Sequence, residues 1–189
     1  MTLLILGLAL FFATHAVSIV NEPWRNAMVV RLGERPWKGL YSLVSIAGFL
    51  LIIYGYGAAR AAPIVLYTPP AWMAHVAALL MLFAFPLFLA TYLPGRIKAR
   101  VKHPLLSATK LWALAHLLAN GALADVLLFG SFLIWAGLDR ISVKRRTARP
   151  VPAMPAGKYN DAIAVVGGLV LYALFVLWAH RWLFGVSPI

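Results

Sequence analysis

Two histidines, His15 and His116, lie inside long apolar segments, where an imidazole is an unusual side chain. A helix rises about 1.5 Å per residue, so His116 is expected about 18 Å beyond Pro104, which follows the basic stretch that ends at His103. By the same measure His15 is about 18 Å from the start of its own segment. Both imidazoles are therefore predicted near the middle of an apolar layer about 30 Å thick, where an ionisable side chain is usually functional.

The surroundings of His116 follow a helical spacing. Trp112, His116 and Asn120 recur at intervals of four, so they are expected on one side of a helix, with Thr109 one turn earlier. His103 precedes Pro104, which suits the first turn of that helix. His103 and His116 are separated by about 20 Å along a straight helix, so one metal ion cannot bind both.

The residue types available limit the chemistry. The chain has no cysteine, which excludes thiolate catalysis, iron–sulfur clusters and covalently attached haem. A zinc site would need three or four ligands, and a proton relay would normally add buried carboxylates. The acidic residues are instead expected near helix ends: Glu22, Glu34, Asp125, Asp139 and Asp161.

One interpretation is that each histidine only hydrogen-bonds a neighbouring helix; a b-type haem also fits two deep imidazoles well. Haem needs one or two neutral imidazoles at iron and an apolar slot, and a helix bundle supplies both. We predict haem b with His15 and His116 as iron ligands and with Trp112 and Asn120 beside the cofactor. One iron can take both ligands if their helices are neighbours, which the residues leave open. His103 and His75 are less favoured ligands, and His75, like His180, is expected near a membrane surface.

The composition indicates the kind of structure that holds these side chains in place. Hydrophobic residues make up 63% of the chain and charged residues only 12%, as expected of a membrane protein. We predict an all-α polytopic membrane bundle, one integral-membrane domain over residues 1–189. The apolar runs long enough to cross a bilayer are Leu3–Val20, Leu40–Ala59, Trp72–Leu93, Leu105–Ala119, Leu123–Leu138 and Ala162–Phe184.

The basic residues predict the orientation of these six spans. Lys and Arg fill the first, third and fifth connections and nearly vanish from the second and fourth. Basic connections remain cytoplasmic, so both termini are expected outside the cell membrane and the three basic connections inside it. The fifth connection, residues 141–160, is predicted to be a basic, proline-rich cytoplasmic loop. We read the net charge of +12 as a topology signal rather than as a nucleic-acid surface.

Four stretches resemble the NnrU family. They are LGERPWKGLYSLVS (32–45), PPAWMAH (69–75), HPLLSATKLWALAHLLANG (103–121) and LLFGSFLIWAGLDR (127–140). The resemblance implies a protein of the bacterial inner membrane, with both termini in the periplasm, and a link to nitrogen-oxide (denitrification) metabolism. The family is similar to zeta-carotene isomerase, a membrane b-haem enzyme, which implies His15 and His116 as haem ligands. The expected function is nitric-oxide-linked chemistry or isomerisation of a lipophilic polyene, in an enzyme or a redox protein.

The sequence leaves two other functions open. The chain could be a non-enzymatic assembly or regulatory partner of nitrogen-oxide reductases, docking a membrane protein through its basic loop. It could also be a small-molecule transporter, although no inverted repeat and no pair of interrupted helices is visible. The expected partners are thus the lipid bilayer, haem and either nitric oxide or a lipophilic small molecule.

Overall fold

The computed structural model describes residues 1–147, 149 and 151–188, and these form helices and the connections between them. Each long apolar run of the sequence becomes a helix, and two short helices add to them. The helices are α1 (Thr2–Val20), α2 (Glu22–Leu32), α3 (Glu34–Ala61), α4 (Met73–Ala90), α5 (Arg96–Val101), α6 (Pro104–Ala119), α7 (Leu123–Ser142), α8 (Asn160–Leu174) and α9 (His180–Phe184). A π-helical turn, Phe175–Ala179, makes α8 and α9 continuous.

The helices group into two compact units. Unit 1 consists of residues 1–67 and 122–147, and unit 2 of the described residues in 68–121 and 148–189. The chain therefore leaves unit 1 after α3, builds α4 to α6 in unit 2, and returns to unit 1 for α7. The prediction of one integral-membrane domain stays a prediction.

In unit 1, α1 packs along α3 and also contacts α7. The α1–α3 approach is close because glycines occupy the interface. A methyl group added at Gly7 would lie 2.6 Å from the Ile52 backbone nitrogen, and one at Gly48 would lie 2.7 Å from that of Phe11. Small residues allow such contact between membrane helices, where packing rather than hydrophobicity drives association.

In unit 2, α4 packs against both α6 and α8. Gly168 of α8 meets α4 at Pro86, where an added methyl group would lie 2.5 Å from the proline nitrogen. Gly168 therefore permits the close approach of α8 to α4. Gly130 and Gly137 of α7 have no such role, because a methyl group at either would meet no described atom within 4 Å.

Many large apolar side chains stay exposed. Leu43, Ile134 and Leu177 are each about two-thirds exposed or more, at 69%, 65% and 81%. Four helical segments are long and apolar enough to cross a membrane: Thr2–Val20, Glu34–Ala61, Met73–Ala90 and Asn160–Phe184. This supports a membrane protein. Of the other two predicted spans, α6 has only 16 residues, and α7 carries Asp125, Asp139 and Arg140.

The basic loop ends in contacts that the sequence did not predict. The Met154 backbone nitrogen donates to the Tyr92 carbonyl at 2.9 Å. The buried Asn160 amide donates to the carbonyls of Pro94 at 2.8 Å and Pro155 at 3.0 Å. The end of the loop therefore lies against the connection after α4, within unit 2.

Candidate functional site

His15 lies on α1 against a wall of aromatic rings in unit 1. Its imidazole stacks on Phe11, with ring centroids 4.0 Å apart and planes 18° apart. Tyr41 of α3 lies 5.2 Å away and Trp135 of α7 lies 5.8 Å away, also between centroids. Three helices thus contribute flat apolar surface around one half-buried imidazole.

The hydrogen bonds of His15 indicate which nitrogen carries its proton. Nδ1 lies 2.8 Å from the Phe11 carbonyl oxygen, which can only accept, so in the neutral ring Nδ1 is the donor. The lone pair is then on Nε2. Among the described residues Nε2 has no hydrogen-bond partner, so the ring can offer this atom to a ligand or a metal.

The wall continues through neighbouring aromatic side chains. Phe12 meets Phe132 at 5.0 Å and Trp135 at 6.1 Å between ring centroids. The Trp135 indole also donates to the His15 backbone carbonyl at 3.3 Å, a contact between α7 and α1. Trp135 therefore both lines the imidazole and ties its helix to α7.

Asp139 lies one helical turn beyond Trp135, on the same side of α7. It pairs with Arg146 at 2.9 Å, and the two side chains are only 10% and 17% exposed. Among the described residues, Asp139 therefore pairs with Arg146 rather than with the adjacent Arg140. Consecutive residues on a helix do not face each other, whereas the turn after α7 brings Arg146 back to Asp139.

His116 lies on α6 in unit 2 and repeats the local geometry of His15. Its Nδ1 lies 2.8 Å from the Trp112 carbonyl oxygen, four residues earlier, so Nδ1 again carries the proton of the neutral ring. The Trp112 ring lies 5.3 Å from the imidazole. Asn120 ends the helix, and both its backbone nitrogen and its side-chain amide donate to the His116 carbonyl at 2.9 Å. The predicted stripe of Trp112, His116 and Asn120 is thus confirmed.

The remaining histidines lie at helix ends. His103 precedes Pro104 and begins α6, as predicted. His75 is exposed in the first turn of α4. Nδ1 of His180 lies 2.7 Å from the Val186 carbonyl oxygen, which can only accept, so Nδ1 is again the donor. Within the described part of the chain, no three His, Asp or Glu side chains cluster to hold a metal ion.

The two deep histidines belong to different units, His15 to unit 1 and His116 to unit 2. Each unit brings its own histidine together with an aromatic partner on the same helix. Binding of a single iron by both histidines stays a prediction.

One polar cluster was not predicted from the sequence. The Tyr56 hydroxyl of α3 donates to the buried Asp125 carboxylate at 2.5 Å, and the Ala122 backbone nitrogen donates to its other oxygen at 3.0 Å. Partial burial, and then the charge of Asp125, raise the pKa of Tyr67 in the connection after α3. The only sign of this cluster in the sequence was Asp125 itself. It is the third residue of a helix, where a carboxylate often accepts hydrogen bonds from backbone nitrogens.

Comparison with known proteins gives one match. The sequence model of the family described as NnrU protein matches residues 3–188, which is nearly the whole chain. No curated protein and no solved structure shows significant similarity to it.

Proposed function

The chain belongs to the NnrU family, and from that premise we propose an integral inner-membrane protein that binds a b-type haem. It crosses the bilayer six times with both termini in the periplasm. Four helical segments support this by length and composition, and α7, with 20 residues, is long enough for a fifth crossing. The 16 residues of α6 extend about 24 Å, which a locally thinned bilayer accommodates.

Haem binding is supported by the shared geometry of His15 and His116. In each, Nδ1 lies 2.8 Å from the carbonyl oxygen four residues earlier. A histidine that binds a metal usually donates its other N–H to such an acceptor, which orients the ring and raises its basicity as a ligand. This is the single observation that carries the proposal.

The residues around His15 also fit a flat apolar cofactor. Phe11, Tyr41 and Trp135 supply aromatic surface from three helices, and the imidazole presents Nε2 as its lone-pair nitrogen. When bound, a haem would supply a redox-active iron, the kind of centre that can bind a small gas or engage a double bond. His15 and His116 would hold the iron, while Trp112 and Asn120 would orient His116 and its helix.

The reaction we propose is nitric-oxide-linked redox chemistry or isomerisation of a lipophilic polyene. The association of the family with denitrification supports the nitric-oxide-linked chemistry. The similarity of the family to zeta-carotene isomerase supports the isomerisation. Both substrates are apolar enough to reach the protein through the bilayer, where the exposed apolar helix faces lie.

The absorption spectrum of the purified full-length chain tests haem binding. Protein produced with ample haem should show a Soret band that His15→Ala and His116→Ala each shift or abolish. His75→Ala is the matched control, because His75 is exposed at a helix end, and it should leave the band unchanged. The absence of a Soret band, or a band unaffected by either of the first two changes, would rule out the proposed ligands.

A second candidate is a non-enzymatic partner that docks a nitrogen-oxide reductase through the basic loop. The observation in its favour is exposure: residues 151–159 are exposed, as are Lys144 and Arg145. Replacing Lys144, Arg145 and Lys158 by glutamate should then abolish nitrogen-oxide reduction in cells, whereas His116→Ala should not. The opposite pattern would favour the haem protein.

A further inference from the structure

Two hydroxyl side chains, Thr14 of α1 and Ser45 of α3, meet beside His15 in an otherwise apolar helix interface. Their oxygen atoms are 3.1 Å apart. Thr14 Oγ1 also lies 2.8 Å from the Phe11 carbonyl oxygen and 3.2 Å from Nδ1 of His15. The four residues form one connected polar group within unit 1.

The proton of each group can be assigned. Thr14 has a single hydroxyl proton, which it donates to the Phe11 carbonyl. Its oxygen can then only accept, from the Ser45 hydroxyl and from Nδ1 of His15. The Phe11 carbonyl also only accepts. With both neighbours of Nδ1 accepting, the proton of the neutral ring lies on that nitrogen, and the 2.8 Å contact with the Phe11 carbonyl oxygen is the stronger of the two constraints.

We propose that Thr14 and Ser45 are positioning residues that hold the His15 proton on Nδ1 and so present Nε2 as the metal-binding atom. The role of Nε2 as a ligand rests on the proposed function. The placement of the proton on Nδ1 does not, because it follows from the hydrogen bonds of the protein alone.

Ser45 of α3 is needed because a hydrogen bond from His15 to its own helix does not fix the orientation of the imidazole ring. The Phe11 carbonyl lies on the same helix as His15, and the terminal torsion of histidine is broad, so this acceptor alone leaves the ring freedom to turn. Ser45 comes from a different helix and holds the Thr14 oxygen in its accepting role. The close approach at Gly48, three residues along α3, brings Ser45 within reach of α1.

Histidine nitrogen spectra test the proton assignment without a cofactor. The full-length chain, labelled with ¹⁵N-histidine, is placed in lipid nanodiscs as the haem-free protein, and His15→Ala identifies the His15 signals. The wild-type ring should be protonated on Nδ1. Thr14→Val should populate both tautomers, Thr14→Ser should restore the wild-type spectrum, and Ser45→Ala should act in the direction of Thr14→Val.

Thr91→Val is the matched control, since Thr91 is buried and its hydroxyl likewise donates to a backbone carbonyl one turn earlier, that of Leu87, but in unit 2. It should leave the His15 signals unchanged. If Thr14→Val does not fold, Ser45→Ala decides the matter with a smaller change. His15 signals identical to wild type in both variants would overturn the inference.

Haem retention gives the second readout. Loss of a hydrogen bond behind a metal-binding histidine typically weakens metal affinity by about 10-fold or more, which we expect for Thr14→Val but not for Thr14→Ser. A wild-type chain without haem would overturn the proposed function, while the tautomer spectra would still decide the positioning role. If the chain binds haem but the His15 tautomer is unchanged in the Thr14 and Ser45 variants, only the positioning role would be overturned.

Discussion

Gly48 of α3 touches the backbone of Phe11 of α1, the residue whose carbonyl holds the His15 imidazole. A methyl group at Gly48 would lie 2.7 Å from the Phe11 nitrogen, closer than real side chains approach. The short distance between α1 and α3 therefore depends on the absence of a side chain at Gly48. The position of the Phe11 carbonyl, which accepts from His15, depends on it as well.

Gly48→Ala should destabilise unit 1, because the added methyl group meets backbone, which cannot move aside. Overpacking of this kind costs about 1–3 kcal/mol. The midpoint of an SDS unfolding titration, followed by tryptophan fluorescence, measures the loss. Gly57→Ala is the control on the same helix, since its added methyl group would meet no described atom within 4 Å. Equal midpoints for the two variants would contradict the predicted contact.

Arg146→Met should leave the Asp139 carboxylate nearly buried without its ion-pair partner. Removing one member of a buried pair costs about 3–5 kcal/mol, and we expect the lower end because Arg146 retains 17% exposure. The double variant Asp139→Asn with Arg146→Met should recover part of the loss. Arg145→Met, at an exposed position, is the control and should have little effect. Thermal unfolding in detergent would detect the difference, and additive effects of the two single changes would argue against pairing.

Asn160→Ala should release the end of the basic loop from the connection after α4. The Asn160 amide donates to two carbonyls, and losing a buried partner costs about 1–3 kcal/mol. Limited trypsin digestion at Lys158 should therefore become faster. Asn26→Ala, at an exposed asparagine of α2, provides the comparison and should cleave at the wild-type rate. Unchanged cleavage in Asn160→Ala would contradict the anchoring role.

Tyr56→Phe should weaken unit 1 by removing the hydroxyl that donates to the buried Asp125 carboxylate. The cost of an unsatisfied buried carboxylate oxygen is about 1–3 kcal/mol, and Ala122 still satisfies the other oxygen. Tyr54→Phe makes the same chemical change on α3 at a side chain that is 70% exposed. A fluorescence-monitored denaturation should show the loss for Tyr56 only.

The sequence by itself determined the helices and what lies along each of them. Apolar length predicted the long helices, Pro104 marked the start of α6, and the intervals of four placed Trp112, His116 and Asn120 on one side. The carbonyl partners of His15 and His116 are four residues away on the same helix, so they too follow from the helical repeat. All of these relations depend on backbone hydrogen bonding within one segment.

Only the tertiary structure decided which helices pack together. It joined α7 to α1 and α3, paired Asp139 with Arg146, and brought Ser45 to Thr14. The sequence could not show this, because lipid is as apolar as a neighbouring helix and a hydrophobic side chain does not reveal which of the two it faces. The interface is instead set by close packing at small residues such as Gly7 and Gly48, whose partners lie far along the chain.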